Sequence, residues 1–384
     1  MNLLANAKSI RLEVLKYNRL MPIYMDRHDI ADEVTAEHLA RMHQEDLKVE
    51  HLYGCKGMTY WCDEERKLAF CLIDAPNKKA IEDMHNHAHG GYPHKVIEVD
   101  PVIVKSFLGR IEDPENTKNT ELNIINDSAF RTLMAVKMEL AMLKNVDKDE
   151  LNKAVQLTNQ SIENAITKYK GRLVRQKDDC VLASFDSITS AVLCTLENKS
   201  MLDNASHSFN LKIKIGLSTG VPVTDKLNLF EDAVKMSKYL SEITQGGITI
   251  TSEVKDLFEG ENFNRTIDKS ISVLDLNAEK FLKSLMDYLE KEWDNPALNV
   301  DKLSTGIGLS KSQANRKLRS LAAKSPNQFI QEIRLQKSLI SIKRNNKTIS
   351  EIAYDSGFTS PTYFSRAFKK RFGISPKEFA INHI

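Results

Sequence analysis

Aspartate and histidine recur in the first hundred residues at spacings that suit metal ligation. In YMDRHD, Asp26 and His28 are two apart and share a face on an extended strand. In HNHAHG, His85 and His89 are four apart, which makes them neighbours on a helix. His43 and Asp46, three apart, add donors from a second helix. Imidazole and carboxylate together suit nickel, zinc or copper. The ligand set this pattern favours is His28, His43, His85 and His89, with His87 and His94 fitting less well. The bland alternatives are solvated surface histidines, or a metal-free domain with an organic ligand.

The last hundred residues carry a different chemistry. NVDKLSTGIGLSKSQANRKLRSLAAK and TISEIAYDSGFTSPTYFSRAFKKRFG share one plan: a short apolar helix, a glycine turn, a serine, then a basic amphipathic helix. That is the plan of a helix-turn-helix. Gly308 and Gly357 supply the turns, and Ser310 and Ser360 the N-caps. On the first basic helix Ala314, Leu318, Leu321 and Ala322 make the inner face, leaving Ser312, Asn315, Arg316 and Arg319 outside. On the second, Phe364, Phe368 and Phe372 form an i, i+4, i+8 stripe, with Thr362, Arg366, Lys369 and Lys370 outside. A basic outer face is often merely solvated; two matched ones argue for a polyanion.

Composition agrees with this division. The 384 residues exceed one ordinary domain, and 41% hydrophobic with 28% charged residues describes a globular chain. Net charge is +2, but residues 281–384 hold 18 Lys+Arg against 9 Asp+Glu, while the remainder holds 36 against 43. Eight of the ten histidines precede residue 95. Five cysteines without a C-x-x-C exclude a disulfide framework or zinc ribbon and predict reduced thiols. No apolar run is long enough to span a membrane, and the charged N-terminus (1–20) lacks a secretory segment. A cytoplasmic protein is expected.

The elements that would position these residues fall into three blocks. Over 21–105 the pattern is β-α-β-β-α-β, an α+β ferredoxin-like order. A polar linker is expected at 111–123. Over 126–275 strands and helices alternate, predicting a second α/β domain. Over 280–384 only helices remain. The expected architecture is therefore multidomain, ending in an all-α double helix-turn-helix domain.

Three resemblances sharpen the reading. ISEIAYDSGFTSPTYFSRAFKKRFGISPKEF resembles the signature of AraC-type transcriptional regulators, and the likeness extends through QFIQEIRLQKSLISIKRNN, the helix joining the two units. It implies that Ser312, Asn315 and Arg316 face bases in one major groove, and Thr362, Tyr363 and Arg366 in the next. Lys311, Lys369 and Lys370 would meet phosphates. Ala323 departs from the family, which often has glycine after the first recognition helix; Gly373 keeps it in the second unit.

GRLVRQKDDCVLASF, LKIKIGLSTGVPV and LFEDAVKMSKYL resemble class III nucleotide cyclases. That chemistry needs two carboxylates for two metals. Val136 stands where the first belongs, Asp179 (after Asp178) keeps the second, and Lys235 and Tyr239 replace the family's Asn and Arg. The resemblance thus implies a cyclase-like domain without catalysis, serving dimerisation or ligand sensing. YMDRHD, YWCDEERKLAFCLIDAP and HNHAHG resemble a small ferredoxin-like family described as nickel-binding, and nickel enters through that resemblance alone.

The expectation is a DNA-binding transcription regulator that is not an enzyme. Its partners are double-stranded promoter DNA, a second copy of itself, and a divalent transition metal or small-molecule effector; no membrane is involved. Activators are commoner in the resembled family, but the sequence leaves the sign open. The rivals are an active nucleotide cyclase fused to a DNA-binding tail, and a metal-binding protein with a vestigial tail.

Overall fold

The computed structural model describes residues 21–115, 122–140, 148–177, 180–209, 211–245, 247–262, 266–344 and 346–382. The N-terminal lead-in (1–20) and the carboxylate pair Asp178 and Asp179 lie outside these residues.

The first block is β1 (Ile23–Asp29), α1 (Ala36–Val49), β2 (Lys56–Asp63), β3 (Leu68–Asp74), α2 (Lys78–His89) and β4 (Lys95–Val99). The sheet order is β2-β3-β1-β4 with every pairing antiparallel, which is the ferredoxin-like arrangement. Strand alternation divides its side chains cleanly. Tyr24, Ile73 and Val96 point to the helices, where they meet Ile81 and Met84 of α2. Ile23, Met25, Trp61, Phe70, Leu72 and Ile97 point the other way. That second face is covered by α3 (Pro101–Leu108) and by the next domain, through Leu133, Ala135, Leu182 and Phe230.

The expected linker is pinned where it is described. Arg110 donates to Thr59 Oγ1 and, at 2.7 Å, to the Tyr60 carbonyl. The Tyr60 hydroxyl donates to the Asn123 carbonyl at 3.1 Å and accepts from the Ile125 N–H at 2.9 Å.

The second block has a six-stranded sheet in the order β10-β9-β8-β5-β7-β6. Its strands are β5 (Arg131–Leu140), β6 (Arg172–Lys177), β7 (Cys180–Phe185), β8 (Leu211–Gly220), β9 (Ile248–Thr251) and β10 (Ile271–Leu274). β8, β9 and β10 run parallel; the other pairings are antiparallel. One face packs on α4 (Lys148–Lys168), α5 (Ile188–Phe209) and α7 (Ser252–Glu261). The other meets α6 (Glu231–Ile243), which lies so close to β8 that a Cβ at Gly216 would collide with the Ser237 carbonyl.

The last block is all helix: α8 (Leu276–Glu292), α9 (Val300–Gly306), α10 (Lys311–Ala322), α11 (Pro326–Lys343), α12 (Ile349–Asp355), α13 (Pro361–Phe372) and α14 (Pro376–Asn382). α9–α10 and α12–α13 are the two helix-turn-helix units. α11 belongs to both, giving Phe329 and Ile330 to the first core and Leu335, Leu339 and Ile342 to the second. Gly308 and Gly357 turn the chain at φ 68° and 76°, and Ser310 and Ser360 cap the helices that follow. Among the described residues no helix is long and apolar enough to cross a membrane.

Candidate metal centre and nucleic-acid interface

Between the ferredoxin-like sheet and its two helices lies a small cavity of about 40 Å³, lined by His28, His43, Asp46, Tyr60, Cys71, His85 and His89, among others. That is room for an ion or a water. β1 presents Asp26 and His28 on the helix-facing side, α1 presents Asp46, and one face of α2 presents His85 and His89. The β1–β3 register sets Cys71 directly opposite Asp26.

His85 is the hub. Its Nε2 lies 2.9 Å from Asp26 Oδ2 and its Nδ1 3.0 Å from Asp46 Oδ1. His89 Nε2 is 3.3 Å from the same Asp46 oxygen, and His28 Nε2 is 3.4 Å from Asp26 Oδ2. Two donor groups share His85: Asp26, His28, Cys71 and His85, and Asp46, His85 and His89.

The electrostatics follow from this packing. Burial alone would depress the His85 imidazole, but hydrogen bonds and charge from Asp26 and Asp46 raise it to about 10. Burial would raise Asp26 and Asp46, yet the histidines around them hold both carboxyls below the ordinary range. Burial, then the charges of Asp26 and Asp46, push the Cys71 thiol well up. The His85 imidazole thus lies between two carboxylates that favour its charged form. The residues fit a transition metal: among the described residues His89 Nδ1 is buried without a hydrogen-bond partner and His28 Nε2 has only the 3.4 Å approach of Asp26, and imidazole, carboxylate and thiol are its donor types.

Of the four histidines singled out from sequence, His28, His85 and His89 come together. His43 lines the cavity, but its Nε2 lies 3.6 Å from Asp113 and it joins neither donor group. His87 Nδ1 pairs with the Tyr53 hydroxyl at 3.0 Å, and His94 Nδ1 accepts from the Asp29 N–H at 3.0 Å. Cys71 was missed. Its signal was the β1–β3 pairing, which needs the strand order to be read.

On α10, Lys311, Ser312 and Arg316 are exposed and Asn315 is half-buried. On α13, Thr362, Tyr363, Arg366, Lys369 and Lys370 are exposed, while Phe364, Phe368 and Phe372 are fully buried. Several outward groups hold neighbours: Lys311 with Asp301 at 2.6 Å, Arg319 Nε with Asn315 Oδ1 at 3.3 Å, and the Gln331 amide with the Tyr363 hydroxyl at 3.2 Å. Arg371, passed over in the outward count, turns inward to Glu332 (2.8 Å) and to Glu139 on β5. Its signal was its place seven residues after Phe364, on the core side of the helix.

The cyclase positions carry packing and ion pairs. Val136 is fully buried in the sheet core. Lys235 pairs with Glu231 (3.1 Å) and Glu290 (3.8 Å), and the Tyr239 hydroxyl donates to Asp287 of α8 at 2.8 Å.

A helix-turn-helix domain model matches residues 303–381. The C-terminal region is an AraC-type helix-turn-helix domain. The family of the nickel responsive protein SCO4226 matches residues 24–99. The HTH-type transcriptional regulator MtrA of Neisseria gonorrhoeae is 33% identical over 98 residues, 26% of this chain and 31% of that regulator. This chain thus spans about a third of MtrA, and 7%, 39% and 57% of three further curated relatives. Among solved structures, SCO4226 of Streptomyces coelicolor A3(2) is 28% identical, with 20% of this chain and 94% of that one covered at a TM-score of 0.19. An adenylate/guanylate cyclase/hydrolase of Silicibacter pomeroyi is 23% identical, with 36% and 81% covered at a TM-score of 0.29.

Proposed function

We propose that the chain is a sequence-specific DNA-binding transcription regulator whose two upstream domains sense an effector and pair it with a second copy. The observation that carries this reading is the pair of capped, core-anchored helices α10 and α13, each with an exposed basic face. Ser312, Asn315, Arg316, Thr362, Tyr363 and Arg366 read bases; Lys311, Lys369 and Lys370 hold phosphates. The middle domain acts without catalysis, since Val136 leaves one of two metal carboxylates missing. It serves instead to dimerise the protein.

The effector is a divalent transition metal held by Asp26, His28, Asp46, His85 and His89, with Cys71 adjacent. Nickel is the metal named by the matched family. When bound, it would replace the His85 proton as the charge that balances Asp26 and Asp46, and so change how the ferredoxin-like domain holds the rest of the chain.

Calorimetric titration of the whole chain with nickel tests the metal. One ion per chain is expected, with uptake lost in His85→Ala/His89→Ala; no uptake, or uptake unaffected by those changes, removes this part of the reading. Promoter footprinting with and without nickel separates a regulator from a metal store.

A further inference from the structure

The two donor groups that share His85 are not equivalent. On its Nε2 side stand Asp26 and His28 of β1 and Cys71 of β3; together with His85, their donor atoms all lie within 4.8 Å of one another. On its Nδ1 side stand Asp46 and His89. The first group brings four donors, one of them sulfur; the second brings three, all nitrogen or oxygen.

Further contacts separate their roles. The Cys71 N–H donates to Asp26 Oδ1 at 2.9 Å, which leaves Oδ2 of this fully buried carboxylate turned to His85 and His28. His28 Nε2 is the nitrogen that faces Asp26, and among the described residues it has only that 3.4 Å approach. In the other group the His89 nitrogen without a partner is Nδ1, whereas Nε2 is the one that faces Asp46. Asp46 itself is placed as a support: its Oδ1 lies 3.0 Å from His85 Nδ1, positioned to accept that N–H. A metal-binding imidazole almost always donates its other N–H to such a partner, which fixes the ring and the lone pair it offers.

Resting on the metal reading above, we propose that Cys71 is a ligand: the ion sits on the Nε2 side of His85, held by Asp26, His28, Cys71 and His85, with Asp46 as the positioning residue for His85. As the sulfur–metal bond forms, the S–H proton leaves to solvent, and His85 offers Nε2 while its remaining proton stays on Nδ1 toward Asp46. Four protein donors including a thiolate suit a thiophilic ion such as zinc, cobalt or nickel and disfavour magnesium and manganese. Such a complement closes the site, so the ion acts as a staple between α2 and two strands of the sheet rather than as a catalyst.

Cobalt(II) is the probe, because a cobalt–thiolate bond gives a near-ultraviolet charge-transfer band that cobalt held by nitrogen and oxygen alone lacks. Titration of the full chain should develop this band in step with uptake and raise the melting temperature by several degrees; manganese(II) should do neither. Cys71→Ser should abolish the band. Cys55→Ser and Cys62→Ser, in the same domain but outside both donor groups, should keep it, which assigns the band even where Cys71→Ser fails to fold. Asp46→Asn should keep the band while weakening uptake about 10–100-fold. Cobalt uptake without the band in the parent chain, or a band that survives Cys71→Ser, overturns the inference and leaves the metal reading standing. Loss of the band in Asp46→Asn with the ion still bound refutes the positioning role. No uptake of cobalt, nickel or zinc overturns both.

Discussion

Ala323 closes α10 with its backbone in the left-handed region, at φ 51°, where Gly373 closes α13 at 83°. A Cβ is strained there, while glycine is not. Ala323→Gly is therefore expected to stabilise the chain by about 0.5–1 kcal/mol in urea denaturation; a loss of stability would contradict the strain. Arg366 and Lys370 are both exposed on α13, and the proposed roles of the two differ. Arg366→Ala should lower affinity for the preferred duplex by about 1–3 kcal/mol and relax one base position. Lys370→Ala should weaken all duplexes alike and reduce the salt slope by about one. Fluorescence anisotropy against matched and scrambled duplexes tells these apart, and identical behaviour of the two variants would refute the division of labour. These outward residues were legible because 3.6-residue periodicity assigns faces without knowledge of the fold. His85 and His89 were legible for the same reason, and Asp26 and His28 through the two-residue alternation of a strand. Asp113, beside His43, was not, because that pairing depends on where a later segment returns.

β5 joins the blocks. Leu133 and Ala135 face the core shared with the ferredoxin-like sheet. Arg131 donates to the Phe107 and Leu108 carbonyls at the end of α3, at 3.3 and 3.5 Å. Near the other end of the strand, the buried Glu139 receives Lys214 at 2.5 Å, Arg371 of α13, and the Gln336 amide of α11 at 3.5 Å. Burial would raise the Glu139 carboxyl, but Lys214, then Arg371 and Lys137, hold it below the ordinary range. A depressed carboxyl contributes stability that is complete above the unfolded value of about 4.3 and is lost as pH falls through the lower folded one. Contact between β5 and the second helix-turn-helix unit is thus expected to weaken below about pH 4.3. In acid titration followed by limited proteolysis, Glu139→Gln should already cleave faster at pH 7 and show a flatter pH dependence; a profile superimposable on the parent's would contradict this. Charged residues within a strand pattern, Lys137 and Glu139 in RTLMAVKMEL, were the available signal of an ionic junction. Their partners lie up to 232 residues away, beyond any local pattern.

At the scale of the molecule, three blocks were readable from composition and periodicity, but their docking was not. One clue was present: GMTYWC and KLAFCLID are almost continuously apolar, as strands covered on both faces are. The covering partner could not be named from that, because it combines α3 with a sheet more than a hundred residues long in sequence. Phe107 of α3 stacks on Phe230 at 4.8 Å inside that shared core. Phe107→Ala should cost about 3–5 kcal/mol and loosen the first two blocks together; a loss under about 1 kcal/mol in urea denaturation would mean that they are not held by this core. The central claim, that twin basic helices read one duplex, is met most directly by selecting binding sites from a random duplex pool with the full chain at near-physiological salt. Two conserved half-sites about 10 base pairs apart are predicted, one of them degraded by Arg366→Ala. A pool that stays random after repeated rounds, with every duplex bound alike, would contradict the account.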